Sequence, residues 1–269
     1  AGYRSAYVEG LRHVLAWLAE HGQRPQRLLF VSSSGVYAQA DGEWVDEQSP
    51  AEASSYSGRV MREAEQLALG SGLPATLVRL TGIYGPGRQW LLNQVRQGYR
   101  VASEPPLYGN RIHADDAAGL LAFLLQADAA GTPLADCYLG VDDAPAPLHE
   151  VVGWLRERLG VSHWAEQSSV RRAGSKRCSN ARARADLATG VELLVGRRAR
   201  WLHPQMAGFD VAVVGRQQHG ALDHVLELAD VAGPGMLVHV ERGLVGQATQ
   251  LLAIQRAVLL DEARHQRRN

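Results

Sequence analysis

A chain of 269 residues with 46% apolar side chains can bury a sizeable core, as one large α/β domain or as a domain with an appendage. Its 28 basic and 28 acidic side chains cancel, which removes the field that would grip nucleic acid or an acidic partner. No apolar run is long enough to span a bilayer and no basic-then-apolar leader opens the chain, so no membrane partner and a cytoplasmic location are expected.

Residues 2–21 place Tyr3, Tyr7, Leu11, Val14, Leu15 and Leu18 at three-to-four spacing, an amphipathic helix that Gly22 closes. Arg27-Leu28-Leu29-Phe30-Val31 is a continuous apolar run, the mark of a parallel strand covered on both faces. A polar connection over Ala40–Ser55 leads to a helix at 56–70 and a strand at Ala75–Leu80. Helices are predicted near Gln89–Gln97 and over His113–Gln126, where Asp115 and Asp116 suit the helix dipole. Cys137–Val141 reads as a short strand, and Leu148–Leu159 as a helix ended by Gly160. Alternating strands and helices argue for a parallel α/β sheet.

Beyond Ser179, a good cap for a short helix, the character changes. Gly196-Arg197-Arg198-Ala199-Arg200 is a basic break. Past it, Phe209–Val214 and Met236–Val240 read as strands, and Ala221–Ala229 and Leu244–Arg264 as helices. The two cysteines, Cys137 and Cys178, have no metal-like spacing and read as reduced, buried thiols. His203, His219, His224 and His239 have no ligand spacing either, so no metal is expected.

Three ordered segments carry chemistry. Ser32-Ser33-Ser34-Gly35-Val36-Tyr37 follows a predicted strand at its carboxyl end, where open α/β sheets place ligands. Thr81-Gly82-Ile83-Tyr84-Gly85-Pro86-Gly87 combines glycines that permit close backbone approach with a turn-fixing proline. Asn110-Arg111-Ile112-His113-Ala114-Asp115-Asp116 comes third, and Arg111 could pair with a phosphate or carboxylate. In this order they resemble the extended short-chain dehydrogenase/reductase family, the NAD-dependent epimerases, dehydratases and reductases. Lys176-Arg177-Cys178-Ser179-Asn180 resembles a short segment near the end of one subgroup.

The resemblance implies roles. Ser33 would hydrogen-bond the reacting oxygen, with Ser34 beside the substrate. Ser32 and Thr81-Gly82-Ile83 would border the cofactor, and Arg111 and His113 would line the substrate cleft. His113 reads equally as a structural residue at a helix N-terminus. The family's central device is a tyrosine and lysine four apart on one helix face, because a phenol with a pKa of about 10 needs a cation to act as acid or base near neutrality. Here Ser57 matches the tyrosine and Met61 the lysine. Lys176 is the only lysine and Arg172 stands four before it, so the chain contains no such pair. Either Tyr56 reaches the site with Arg59 as its cation, or other groups serve, or no redox chemistry occurs.

The family also opens with a strand and a glycine-rich turn that holds the dinucleotide pyrophosphate, and no G-x-G-x-x-G precedes residue 27. The expectation is a partial Rossmann-like doubly wound parallel sheet with a small substrate lobe over residues 1–186, amino-terminally truncated by two or three βαβ units. Residues 187–269 are an unassigned tail. The strand at Leu28–Val31 would then lack a neighbour on one side, exposing an apolar edge. In an intact parent the activity is an NAD(P)-dependent oxidoreductase or epimerase/dehydratase reaction on a nucleotide sugar or related small polar molecule, with NAD or NADP as cofactor. The alternatives are a non-catalytic dinucleotide-binding or regulatory protein and an inactive fragment. A small-molecule partner is implied, and a homodimer is left open.

Overall fold

The computed structural model describes residues 2–165 and 175–186, together with the backbone of 236–239. A helix over residues 2–20 (α1) winds as a π-helix across Ser5–Glu9 and closes at Gly22, whose φ of 63° suits a residue without a side chain. Strand β1 (Arg27–Ser33) runs into a 3₁₀ turn at Ser34–Val36, followed by β2 (Asp41–Val45) and α2 (Tyr56–Leu69). Next come β3 (Ala75–Leu80), β4 (Gly82–Tyr84), α3 (Trp90–Arg96), β5 (Tyr108–Gly109), β6 (Arg111–His113) and α4 (Ala114–Ala129). The remaining elements are β7 (Cys137–Gly140), β8 (Ala146–Pro147), α5 (Leu148–Leu159), β9 (Ser175–Cys178), α6 (Ala181–Asp186) and β10 (Met236–His239). The expected segments Phe209–Val214, Ala221–Ala229 and Leu244–Arg264 lie outside the described residues.

The central sheet has the order β10-β1-β3-β7, and its β1–β3 and β3–β7 pairs are parallel. The alternation of β1 explains why its apolar run is unbroken. Leu28 and Phe30 join Tyr7, Val8, Leu11, Val60, Met61 and Ala64 on the face covered by α1 and α2. Leu29 and Val31 join Leu120, Leu121 and Leu124 on the face covered by α4. The chain is therefore a Rossmann-like α/β sandwich, as the sequence predicts. A smaller core of Val95, Tyr99, Val152 and Leu155 ties α3 to α5 in a separate lobe. Gly160 ends α5 in the left-handed region at φ 64°.

One expectation is overturned. The edge of β1 is not bare: β10 pairs with it antiparallel, from Arg27 opposite His239 to Phe30 opposite Met236. The β1 backbone groups facing that way obtain ladder partners from the tail, so the exposed-edge argument for association falls. On the far side of the sheet, the Glu47 carboxylate accepts the Leu139 N–H of β7 at 2.7 Å. Cys137 and Cys178 are buried free thiols, and burial pushes them up to about 12 and about 11.

Candidate active site

The parallel registers bring the carboxyl ends of three strands level. Ser33 lies opposite Leu80, and Leu80 opposite Gly140. Thr81 is held there twice, its N–H and its Oγ1 both donating to the Gly140 carbonyl at 3.1 Å. Ser33 Oγ accepts the Gly35 N–H at 3.1 Å, capping the 3₁₀ turn. That bond fixes the Ser33 oxygen and leaves its O–H able to donate to a bound oxygen atom.

The start of α2 is pressed against this turn. Ser55 caps the helix by accepting the Gly58 N–H at 3.1 Å. A Cβ on Gly58 would stand 2.5 Å from both the Ala53 Cβ and the Gly35 carbonyl oxygen. Neither neighbour is a flexible side-chain end, so Gly58→Ala must push α2 away from the Ser33 turn. We expect a loss of about 1–3 kcal/mol, read as a lowered urea midpoint with unchanged slope; an unshifted midpoint would show that the helix can move freely.

Beneath the turn lies a buried ionic network. Glu65, on the apolar stripe of α2, is fully buried and forms a bidentate pair with Arg79 of β3, with both contacts at 2.8 Å. Ser32 donates to Glu65 at 2.6 Å, and Arg62 joins the same carboxylate. Arg79 also donates to the Tyr37 hydroxyl at 2.8 Å, which donates onward to the Asp46 carbonyl. Burial alone would raise the Glu65 carboxyl, but Arg79, Ser32 and Arg62 outweigh it and hold it below its ordinary value. Ser32 thus anchors the front of the Ser33–Val36 turn and Tyr37 its back. The signal for this network was present in sequence: Arg79 is a charge inside an otherwise apolar run, and Glu65 shares the buried stripe of Met61, Ala64 and Ala68.

Beyond the strand ends, β4 pairs with β6 in parallel and places Gly82-Ile83-Tyr84 beside Arg111-Ile112-His113. The Tyr84 and His113 rings meet edge to face at 5.2 Å. His113 Nδ1 accepts the Asp115 N–H at 3.2 Å and so caps α4. A Cβ on Gly109 would come within 2.3 Å of Arg111 Nη2, so the guanidinium is stacked directly on that glycine. Asp142 completes the group. It follows β7, is 4% exposed, and its N–H donates to the Arg111 carbonyl at 2.7 Å. Burial, then the neighbouring Asp116 carboxylate, push the Asp142 carboxyl up to about 7 against the pull of Arg111. Nothing in its own short sequence context marks Asp142, because only the fold brings Asp116 and Tyr84 to it.

A strap closes this region. The Asn110 side-chain amide donates to the Lys176 carbonyl at 2.8 Å and accepts the Cys178 N–H at 2.7 Å. Lys176 Nζ donates to the Tyr37 carbonyl at 3.0 Å, and Asn180 donates to the Val141 carbonyl and to Asp143. The Lys176–Asn180 segment, from which the sequence alone yields no chemistry, is a structural clasp. Ser179 Oγ accepts the Ala181 N–H at 3.3 Å, close to its expected capping role for α6.

The profile of the NAD dependent epimerase/dehydratase family matches residues 3–136. A solved structure from Methylobacillus flagellatus, assigned as a NAD-dependent epimerase/dehydratase, is 36% identical over 72% of this chain and 71% of that one, with a TM-score of 0.58. The chain belongs to the NAD-dependent epimerase/dehydratase family. A conserved Silicibacter pomeroyi protein of unknown function is 29% identical over 67% of this chain and 71% of its own, with a TM-score of 0.54. The dTDP-glucose 4,6-dehydratase of Bacillus anthracis, solved in complex with NAD, shares the fold at 14% identity, with 73% and 68% coverage and a TM-score of 0.57. No curated protein matches the chain.

The positions that the resemblance matches to the family's tyrosine and lysine lie in α2. Met61, at the lysine position, is buried at 1% exposure in the core, while Ser57 at the tyrosine position is exposed. Tyr56 is 53% exposed, and the Arg59 guanidinium donates to the Ser54 carbonyl. The described residues thus bring together Ser33, Ser34, Thr81, Gly82, Ile83, Arg111 and His113 around the strand ends. Ser32 faces inward to Glu65.

Proposed function

We propose that this chain forms the nicotinamide and substrate side of an NAD(P)-dependent epimerase/dehydratase or oxidoreductase acting on a nucleotide sugar or related small polar molecule. The observation that carries the reading is the level alignment of the Ser33, Leu80 and Gly140 strand ends, with the β4–β6 ladder built beside them. Open α/β sheets bind ligands at that edge. In this reading Ser33 donates to the reacting oxygen, and Ser34 lies beside the substrate. Thr81, Gly82 and Ile83 border the nicotinamide, while Ser32 is held inward on Glu65. Arg111 faces an anionic group of the substrate, and His113 shapes the cleft wall. Residues 1–186 make up the working unit, and 187–269 are an unassigned tail from which Met236–His239 joins the sheet as β10. The partner is a small molecule in the cytoplasm rather than nucleic acid. Among the described residues no helix is long and apolar enough to cross a membrane.

The burial of Met61 and the exposure of Tyr56 favour a second reading, a dinucleotide-binding protein that has lost turnover. Kinetics separate the two. In a longer chain that carries a glycine-rich turn, Ser33→Ala should lower turnover at least about tenfold, since one transition-state donor is worth a few kcal/mol. Complete absence of turnover in that chain would leave the binding reading. For the 269-residue chain itself, calorimetric titration with NAD or NADP should show binding weaker than micromolar. Its amino-terminal residues hold no glycine turn to place N–H groups against a pyrophosphate. A micromolar dissociation constant would mean that the pyrophosphate has a site elsewhere in these residues.

A further inference from the structure

We infer that the outer face of α2 carries a binding site for a small oxyanion, a phosphate or carboxylate group held between Arg59 and Arg62, separate from the cleft at the strand ends. A groove of about 380 Å³ runs along this face. Its helix side is one stripe, Arg59, Arg62, Glu63 and Gln66, at the three-to-four spacing that sets side chains above one another. Its far wall is the connection Ala51–Ala53. Gly58 brings that wall close, because its missing side chain lets the Ala53 Cβ pack against the helix start. None of the residues gathered around Ser33 and Arg111 lines the groove.

Surplus charge gives the ligand its sign. At one Glu65 oxygen stand Arg79 Nε and Ser32 Oγ, and at the other Arg79 Nη2 and Arg62 Nη1. Arg79 alone neutralises that carboxylate, so the positive charge of Arg62 is left over. Arg62 is 30% exposed, uses only Nη1 on Glu65, and lines the groove. Arg59, three residues before it, is exposed; its Nη1 donates to the Ser54 carbonyl, and among the described residues no carboxylate pairs with it. Glu63 is taken by Arg4 and Arg12 of α1. Glu52, exposed on the far wall, is the remaining acid of the lining. Two arginine charges therefore stand against one carboxylate. Guanidinium forks a helical turn apart match the oxygens of a phosphate or carboxylate, and a recess screens them less than open surface does. The site also reaches the network under the Ser33 turn, because an anion on Arg62 shares that guanidinium with Glu65, the acceptor of the Ser32 hydroxyl.

The test is NMR of the full chain with nitrogen-labelled arginine, the Arg59 and Arg62 Nε signals being assigned by their loss in Arg59→Gln and Arg62→Gln. Inorganic phosphate, exchanged for chloride at constant ionic strength, should move both signals saturably with a dissociation constant on the order of 1 mM or tighter. Each glutamine change, read at the surviving arginine signal, should weaken binding about tenfold. Glu52→Gln should tighten it, since it removes the opposing charge. Arg59 is exposed, so Arg59→Gln keeps the test open if freeing Glu65 from Arg62 unsettles the fold. An acetate arm names the class: the anion that moves the two signals more strongly, phosphate or carboxylate, is the group the site takes. Arg59 and Arg62 signals that show no saturation with either anion overturn the inference. So do shifts confined to other arginines, such as Arg111 in the cleft, that persist in both variants.

Discussion

Glu65→Ala should remove about 3–5 kcal/mol of unfolding free energy, because it leaves the Arg79 guanidinium buried without its carboxylate. Arg79 is 4% exposed, so water cannot replace the lost partner without opening the space between α2 and β3. Arg79→Met should also destabilise, leaving the buried Glu65 carboxylate with only Ser32 and the partly exposed Arg62 as partners. The double change Glu65→Ala with Arg79→Met should cost clearly less than the sum of the two, since the buried pair is then removed as a whole. Urea unfolding of the four proteins closes the cycle. Single variants within about 0.5 kcal/mol of the parent would mean the pair is solvated in solution. The network also has a pH signature. Glu65 is held below its ordinary value in the fold, so its contribution is present above the unfolded carboxylate pKa and disappears as pH falls through the lower folded value.

Asp142→Asn should act with the opposite sign and stabilise the protein in alkaline solution. The folded Asp142 carboxyl is raised to about 7, well above its value in an unfolded chain. The folded state therefore holds a proton that the unfolded state has already released, and stability falls as pH rises from about 4 to about 7 before levelling. Asparagine has nearly the same shape and never ionises. The variant should match the parent near pH 4 and exceed it by roughly 2–4 kcal/mol at pH 8, with part of the gain shared with Asp116. Thermal unfolding across this range measures the divergence. A constant offset between the two proteins at every pH would show that Asp142 does not change charge within it.

Much of the frame was legible because it repeats. Leu28–Val31 and Ala75–Leu80 are runs that only a doubly covered strand explains, and Gly22 and Gly160 mark helix ends by a conformation other residues resist. The helices 56–70 and 148–159 emerge within a residue of their bounds. The ladders β4–β6, β5–β8 and β2–β9 were not legible, since segments of two to five residues contain too few positions to show a period. Partner identity was harder still. No local pattern says that Met236–His239 will lie on β1, or that the polar stretch before α2 contains the strand Asp41–Val45. At the site, Ser33 and the Thr81–Tyr84 segment were readable as types in order. The inward turn of Ser32 was not, because it depends on Glu65 arriving from a different element. His113 was open between two roles, and its bond to the Asp115 N–H shows the helix-capping one, which does not preclude a place in the cleft wall.

The amide of Asn110 makes the clasp an indicator of what happens next door. The Asn110 side chain reads two backbone groups of β9, as a neighbouring strand residue would, while the Asn110 main-chain carbonyl accepts the Gly82 N–H at 3.1 Å. The stretch that lines the cleft and the stretch that closes it therefore share a hinge pin. Asn110 directly precedes Arg111, so a molecule that displaces Arg111 should loosen the Cys178 N–H bond, and deuterium uptake at that buried amide becomes a gauge of cleft occupancy.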